Sequence, residues 1–293
     1  DMRAEMAVIY WDRSKIVWSF EPWSLRLTWY GVFFTVGIFL ACLSARYLAL
    51  SYYGLKDHLS FSKSQLRVAL ENFFIYSILF IVPGARLAYV IFYGWSFYLQ
   101  HPEEIIQIWH GGLSSHGGVL GFLLWAAIFS WIYKKKISKL TFLFLTDLCG
   151  SVFGIAAFFI RLGNFWNQEI VGTPTSLPWG VVFSDPMQGV QGVPVHPVQL
   201  YEGISYLVVS GILYFLSYKR YLHLGKGYVT SIACISVAFI RFFAEYVKSH
   251  QGKVLAEDCL LTIGQILSIP LFLFGVALLI ICSLKARRHR SHI

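Results

Sequence analysis

The chain has 293 residues, of which 57% are hydrophobic, 18% aromatic and 13% charged, with a formal net charge of +9. A soluble domain is about a quarter charged; the apolar excess here is gathered into long runs, which sets aside a soluble globular protein and predicts an integral membrane protein. The basic balance does not point to nucleic acid. The Lys and Arg residues fall in short loops and a tail rather than in an aromatic-interleaved soluble patch, which leaves membrane lipid as the natural partner.

In chain order, residues 1–26 form a mixed polar and aromatic segment, with no apolar run suited to a cleavable signal peptide. Runs of about 20 apolar residues then predict an all-α polytopic membrane protein with seven spans, at 27–50, 68–93, 112–133, 140–165, 197–218, 227–247 and 260–284. A basic tail follows at 285–293. The loops after the first, third and fifth spans hold Lys56, Lys63 and Arg67; Lys134, Lys135, Lys136 and Lys139; and Lys219, Arg220 and Lys226. The tail adds Lys285, Arg287, Arg288 and Arg290. The loops at 94–111 and 166–196 hold no Lys or Arg, and the last outer loop holds only Lys248 and Lys253. The positive-inside rule therefore places the C-terminus in the cytoplasm and the N-terminus outside. The Gly- and Pro-rich loop at 166–196 is expected along the outer surface as a lid or docking strip. Cys42, Cys149, Cys234, Cys259 and Cys282 sit in or beside apolar runs without a CxxC pair, and so read as small buried apolar residues.

Against this background the polar residues inside the spans stand out. Trp29-Tyr30 heads the first span and fits an aromatic interface anchor. Arg86 follows Pro83-Gly84-Ala85, which predicts a kinked span with freed backbone groups. The stretch from Gly111 to Gly121 carries His116 between glycines. Gly117 and Gly121 suit close helix packing, while His116 is either structural or a group titrating near neutral pH. In Arg161-Leu-Gly-Asn-Phe-Trp-Asn-Gln-Glu169, helical spacing aligns Arg161 with Asn164 and then Gln168. Asn167 and Glu169 come at the expected helix end, and the whole face suits phosphate or ester oxygens. His196-Pro197 starts the fifth span, with Gln199 and Glu202 on one face. Arg241 and Glu245, at i and i+4, read as an internal ion pair that can also orient an arginine toward a ligand.

Arg86, Arg161 and Arg241 each cost about 2.5–3.5 kcal/mol at the bilayer centre, unless they snorkel to the interface. All three map to the outer halves of their spans, which favours one shared anionic site. Metal chemistry has no HExxH motif or His/Cys pair behind it, and no GxSxG elbow supports Ser114 or Ser115 as a nucleophile beside His116. A lipid or anionic-solute transporter would need polar breaks near both faces, and no inverted repeat is visible.

Taken in order, Trp29–Gly31, His110–Gly118, Arg161–Glu169, His196–Glu202, Arg241–Glu245 and Gly264–Pro270 resemble the prolipoprotein diacylglyceryl transferase family of bacterial membrane enzymes. The resemblance covers nearly the whole chain. It implies transfer of the diacylglyceryl group of phosphatidylglycerol to the lipobox cysteine thiol of a prolipoprotein signal peptide, with release of glycerol phosphate. It also implies a monomer of the bacterial inner membrane, with its site toward the periplasmic leaflet and no cofactor. By motif, His116, Arg161 and Arg241 take catalytic places, with His116 the expected base. Tyr30, Asn164, Glu169, Gly172 and Glu245 take substrate-binding ones; Arg86, His196, Gln199 and Glu202, by their place in the same outer region of the spans, are expected to bind substrate with them. Ser115, Gln168 and Val237 depart from the family pattern, Val237 standing where relatives carry a Tyr.

Overall fold

The computed structural model describes residues 9–20, 25–53, 61–108, 112–249 and 261–290. Lys56, His110, Gly111, Lys253 and Cys259 lie outside these residues. Among the described residues, seven helices are long and apolar enough to cross a membrane. They are α1 (Trp29–Tyr53), α2 (Lys63–Tyr93), α4 (Ser115–Tyr133), α5 (Phe142–Trp166), α6 (Val198–Tyr218), α7 (Tyr228–Ala244) and α8 (Ile263–Arg290), with the short α3 (Trp95–Gln100) between α2 and α4. The predicted spans hold to within a few residues at most of their ends. α8 runs on to Arg290, so the basic residues placed in a tail form the last turns of a helix.

The all-α expectation gains one addition. Before α1 the chain forms β1 (Ile9–Trp11), β2 (Ile16–Phe20) and β3 (Leu25–Thr28); between α5 and α6 it forms β4 (Val181–Phe183). β2 pairs antiparallel with β3, and β1 pairs parallel with β4. The 166–196 loop is thus a folded cap with its own core. Val171, Val181, Phe183 and Val195 pack with Phe165, and Trp11 and Leu200 close the cluster. Burying such side chains contributes about 1.5–3 kcal/mol each, enough to hold a loop without helical structure in one shape.

The chain divides into two compact units. The first comprises residues 1–45, 149–223 and 227–293; the second comprises 46–148 and 224–226. In the second unit α2 packs along α4. Ser62 and Gln65 form a capping box at the start of α2, and the helix continues through Pro83. Side by side with α4, Gly84 meets the backbone of Gly117 and Gly121 so closely that a Cβ at any of the three would collide. The small-residue spacing read from the sequence therefore serves helix contact. In the first unit α7 packs against both α6 and α8. Large apolar side chains such as Phe39, Ile78, Leu120, Ile212 and Phe274 are exposed along the helices, as surfaces solvated by lipid require.

Candidate active site

Within the first unit the start of α1, the end of α5, the start of α6, the end of α7 and the start of α8 contribute one polar cluster. Arg161 reaches Glu202 through Nε, 2.6 Å from Oε2. The other oxygen of Glu202 takes Lys248 Nζ at 2.8 Å, and Lys248 in turn reaches Glu245 Oε1 at 2.9 Å. Glu202 is 0% and Lys248 8% exposed. Two cations and two carboxylates alternate, so the chain is neutral and each buried charge has a partner, without which burial would be prohibitive. Glu245 also accepts from Thr262 Oγ1 at 3.0 Å. Thr262 and Gln265 cap the start of α8 through reciprocal hydrogen bonds, so the carboxylate stands at the positive end of that helix. Gly264 makes room for it: a Cβ there would collide with the carboxylate.

The expected Arg241–Glu245 ion pair is not formed. α7 ends at Ala244 and residues 245–247 form a 3-10 turn. Glu245 leaves the helical register and meets Lys248 three residues on, which is the spacing that such a turn aligns. Among the described residues no ion pair or hydrogen bond engages the half-buried side chain of Arg241. Its charge lies within electrostatic reach of Tyr206, as do those of Glu202 and Arg161.

A second chain of bonds begins at Arg161, whose Nη1 donates to Asn164 Oδ1 at 3.2 Å. Asn164 Nδ2 donates to Glu169 Oε2 at 2.9 Å, and Asn167 Nδ2 to Glu169 Oε1 at 3.1 Å. Gln199 Nε2 donates to the backbone oxygen of Glu169 at 2.6 Å. Tyr30 lies within electrostatic reach of Glu169 and Arg161 and packs against Gly163. Gln168, expected on the Arg161 face, is turned away. It adopts φ 60, and its amide bonds Ser184 Oγ and the Asp185 amide inside the cap. Among the described residues, the buried oxygens Oδ1 of Asn167 and Oε1 of Gln199 have no hydrogen-bond partner.

Gly172 and His196 serve the frame of this cluster. Gly172 donates to the His196 backbone oxygen at 3.0 Å and bridges Lys248. Thr173 and Ser249 continue the pairing through Val247 and Val171. A side chain at Gly172 would strike His196, so glycine here lets the cap lie on the 247–249 segment and fixes Lys248. The His196 ring faces Tyr201, with Nδ1 3.2 Å from the hydroxyl, which also accepts from Trp179 Nε1 at 2.7 Å.

Arg86 and His116 belong to the second unit. Arg86, 4% exposed, spends its donors on backbone carbonyls: Nε to Ile105 at 2.9 Å, Nη1 to Gly112 at 3.0 Å, and Nη2 to Glu104 at 2.6 Å. It also lies over the Tyr98 ring at 5.1 Å. It clamps the segment between α2 and α4. His116 is exposed in the first turn of α4, and its ring makes no hydrogen bond to a described residue. Among the described residues no group of three His, Cys, Asp or Glu could hold a metal.

Lys248 and Tyr206 were missed as site residues by the reading of the sequence. Lys248 counted only as a loop charge, although it stands three residues from Glu245. Tyr206 follows Glu202 by one helical turn, and that spacing was the available signal.

The family model described as prolipoprotein diacylglyceryl transferase matches residues 15–281. A protein of Chlamydia caviae named phosphatidylglycerol–prolipoprotein diacylglyceryl transferase is 61% identical over 290 residues, covering 99% of this chain and 98% of its own. Proteins of the same name from Chlamydia trachomatis and Tolumonas auensis are 52% and 33% identical. They cover 95% and 96% of this chain and the whole of their own.

Proposed function

The chain belongs to the prolipoprotein diacylglyceryl transferase family, and on that premise we propose that it transfers the diacylglyceryl group of phosphatidylglycerol to the lipobox cysteine of a prolipoprotein. The sulfur attacks the glycerol carbon that bears the phosphate. A C–S bond forms, the C–O bond breaks, and its electron pair leaves on the phosphate oxygen of glycerol phosphate. The protein must bind a monoanionic phosphodiester in a low-dielectric setting and stabilise the second negative charge that develops on the leaving oxygen.

The observation that carries this reading is the contrast within the polar cluster. Arg161, Glu202, Lys248 and Glu245 neutralise one another, which leaves the positive charge of Arg241 for a ligand. Arg241 holds the phosphate. Arg161, oriented by Glu202 and Asn164, presents its remaining donor edge to the leaving oxygen. Tyr206 and Tyr30 border the pair. A thiol of pKa about 8.5 reacts as thiolate, so a proton acceptor is required; His116 is assigned that role on its chemistry and motif.

The seven helices make the chain a multi-pass membrane protein. The basic loops orient it with the N-terminus periplasmic and the C-terminus cytoplasmic in the bacterial inner membrane. The polar cluster, built from the outer ends of α1 and α5–α8, then serves the periplasmic leaflet. We take the working unit to be a monomer. The organisation follows: an N-terminal segment at 1–26, a catalytic membrane domain at 27–284 with the 166–196 cap, and a basic end at 285–293.

The test incubates the purified protein with phosphatidylglycerol and a lipobox peptide. Mass spectrometry should show a thioether-linked diacylglyceryl peptide and one glycerol phosphate per product. Absence of the thioether, or full activity in both Arg161→Gln and Arg241→Gln, overturns the reading. Retained activity in His116→Ala removes only the base.

A further inference from the structure

Asn167 and Gln199 point to how the lipid headgroup is told apart from others. Both amides are oriented by Glu169. Its carboxylate and backbone oxygen only accept, so the amide nitrogens must face it, as they do at 3.1 Å and 2.6 Å. Turning either amide over would set oxygen against oxygen. The amide oxygens therefore point away from Glu169, and both are buried without a donor among the described residues; Gln199 as a whole is 0% exposed. Both acceptors belong to amides held by Glu169, which also binds the arginine-linked Asn164, and both are left able to accept from a bound molecule.

We infer that Oδ1 of Asn167 and Oε1 of Gln199 accept hydrogen bonds from the hydroxyls of the glycerol headgroup of phosphatidylglycerol, and so select a polyol headgroup over one without hydroxyls. This rests on the proposed function. The phosphodiester has no donors of its own, and the acyl esters have none. The two headgroup hydroxyls are donors that the phosphate carries with it, on the leaving group that Arg161 and Arg241 are proposed to hold. A site built to pair a hydroxyl discriminates strongly against an analogue without one, because its acceptors are then left buried and unmatched.

The experiment compares phosphatidylglycerol with phosphatidylpropanol, which keeps the phosphodiester and the three carbons but lacks both hydroxyls. Each is supplied in mixed micelles to the full-length protein with a saturating lipobox peptide. The wild type should prefer phosphatidylglycerol by 100-fold or more in kcat/KM. Gln199→Met and Asn167→Leu should each cut that ratio about tenfold, equivalent to about 1.4 kcal/mol, mainly by lowering activity on phosphatidylglycerol. A structural role alone would depress both lipids equally and leave the ratio unchanged, which overturns the inference, as does a wild type without preference. An unchanged ratio with a raised peptide KM also overturns it, and assigns the acceptors to peptide N–H groups. If Gln199→Met does not fold, Asn167→Leu decides alone. Absence of any thioether from the wild type with phosphatidylglycerol is the separate failure of the function itself.

Discussion

Arg86 and Arg241 are both arginines in apolar helices, yet they live in opposite circumstances. In the second unit Arg86 is nearly sealed from solvent, with its donors taken by the carbonyls of Glu104, Ile105 and Gly112. In the first unit Arg241 has no such bonds among the described residues, while its neighbours Arg161, Glu202, Lys248 and Glu245 satisfy one another. The same side chain is a structural clamp in one region and, in the other, the charge we propose for the lipid phosphate. A charge in a membrane helix becomes a candidate site through what is left over after its surroundings are satisfied.

The contrast breaks first at Arg241. Arg241→Gln should cut lipid-dependent thioether formation by about 10²–10³-fold, the scale for removing one preorganised donor to developing charge, with the melting temperature little changed. A large loss of stability instead would mean that Arg241 is structural after all. Lys248→Met comes next: it leaves Glu245 without a cation and Glu202 with Arg161 alone, and should destabilise the fold by about 3–5 kcal/mol, read as denaturant or thermal unfolding in detergent. Lys248→Arg should recover most of that stability. Arg86→Gln should cost about 1–3 kcal/mol for each carbonyl left unpaired. It should expose the 94–112 segment to limited proteolysis while the KM for phosphatidylglycerol stays near wild type. A KM shift without the new cleavage would erase the distinction between the two arginines. The smallest effect is expected at Ser62→Ala, where loss of the α2 cap should cost about 1 kcal/mol and leave activity intact.

The seven spans were legible because a 20-residue apolar run has few other uses, and α1, α5 and α6 lie close to where hydropathy puts them. Asn164 lies beside Arg161, as one turn of helix predicts, and Glu169, expected at the helix end, follows there and bonds Asn164. The errors mark where that spacing stops. Gln168 takes a left-handed conformation, so helical extrapolation sends it to the wrong face. Glu245 passes into a 3-10 turn and exchanges Arg241 for Lys248. The pairing of Ile9–Trp11 with Val181–Phe183 joins segments about 170 residues apart, and no local pattern announces such a partner. Hydropathy also cannot separate Arg86 from Arg241, since the carbonyls that occupy Arg86 come from the short 3-10 turn Pro102–Ile106 and from Gly112, ahead of α4.

The alternating charges of Arg161, Glu202, Glu245 and Lys248 also constrain how the protein is made. Each of α5, α6 and the segment after α7 carries a charged side chain that is costly to present singly to lipid, whereas together these charges cancel. A nascent α5 therefore has reason to linger at the insertion machinery until α6 arrives with Glu202, and the pair until Lys248 follows α7. The cluster proposed for chemistry would then also couple the entry of the last spans into the membrane.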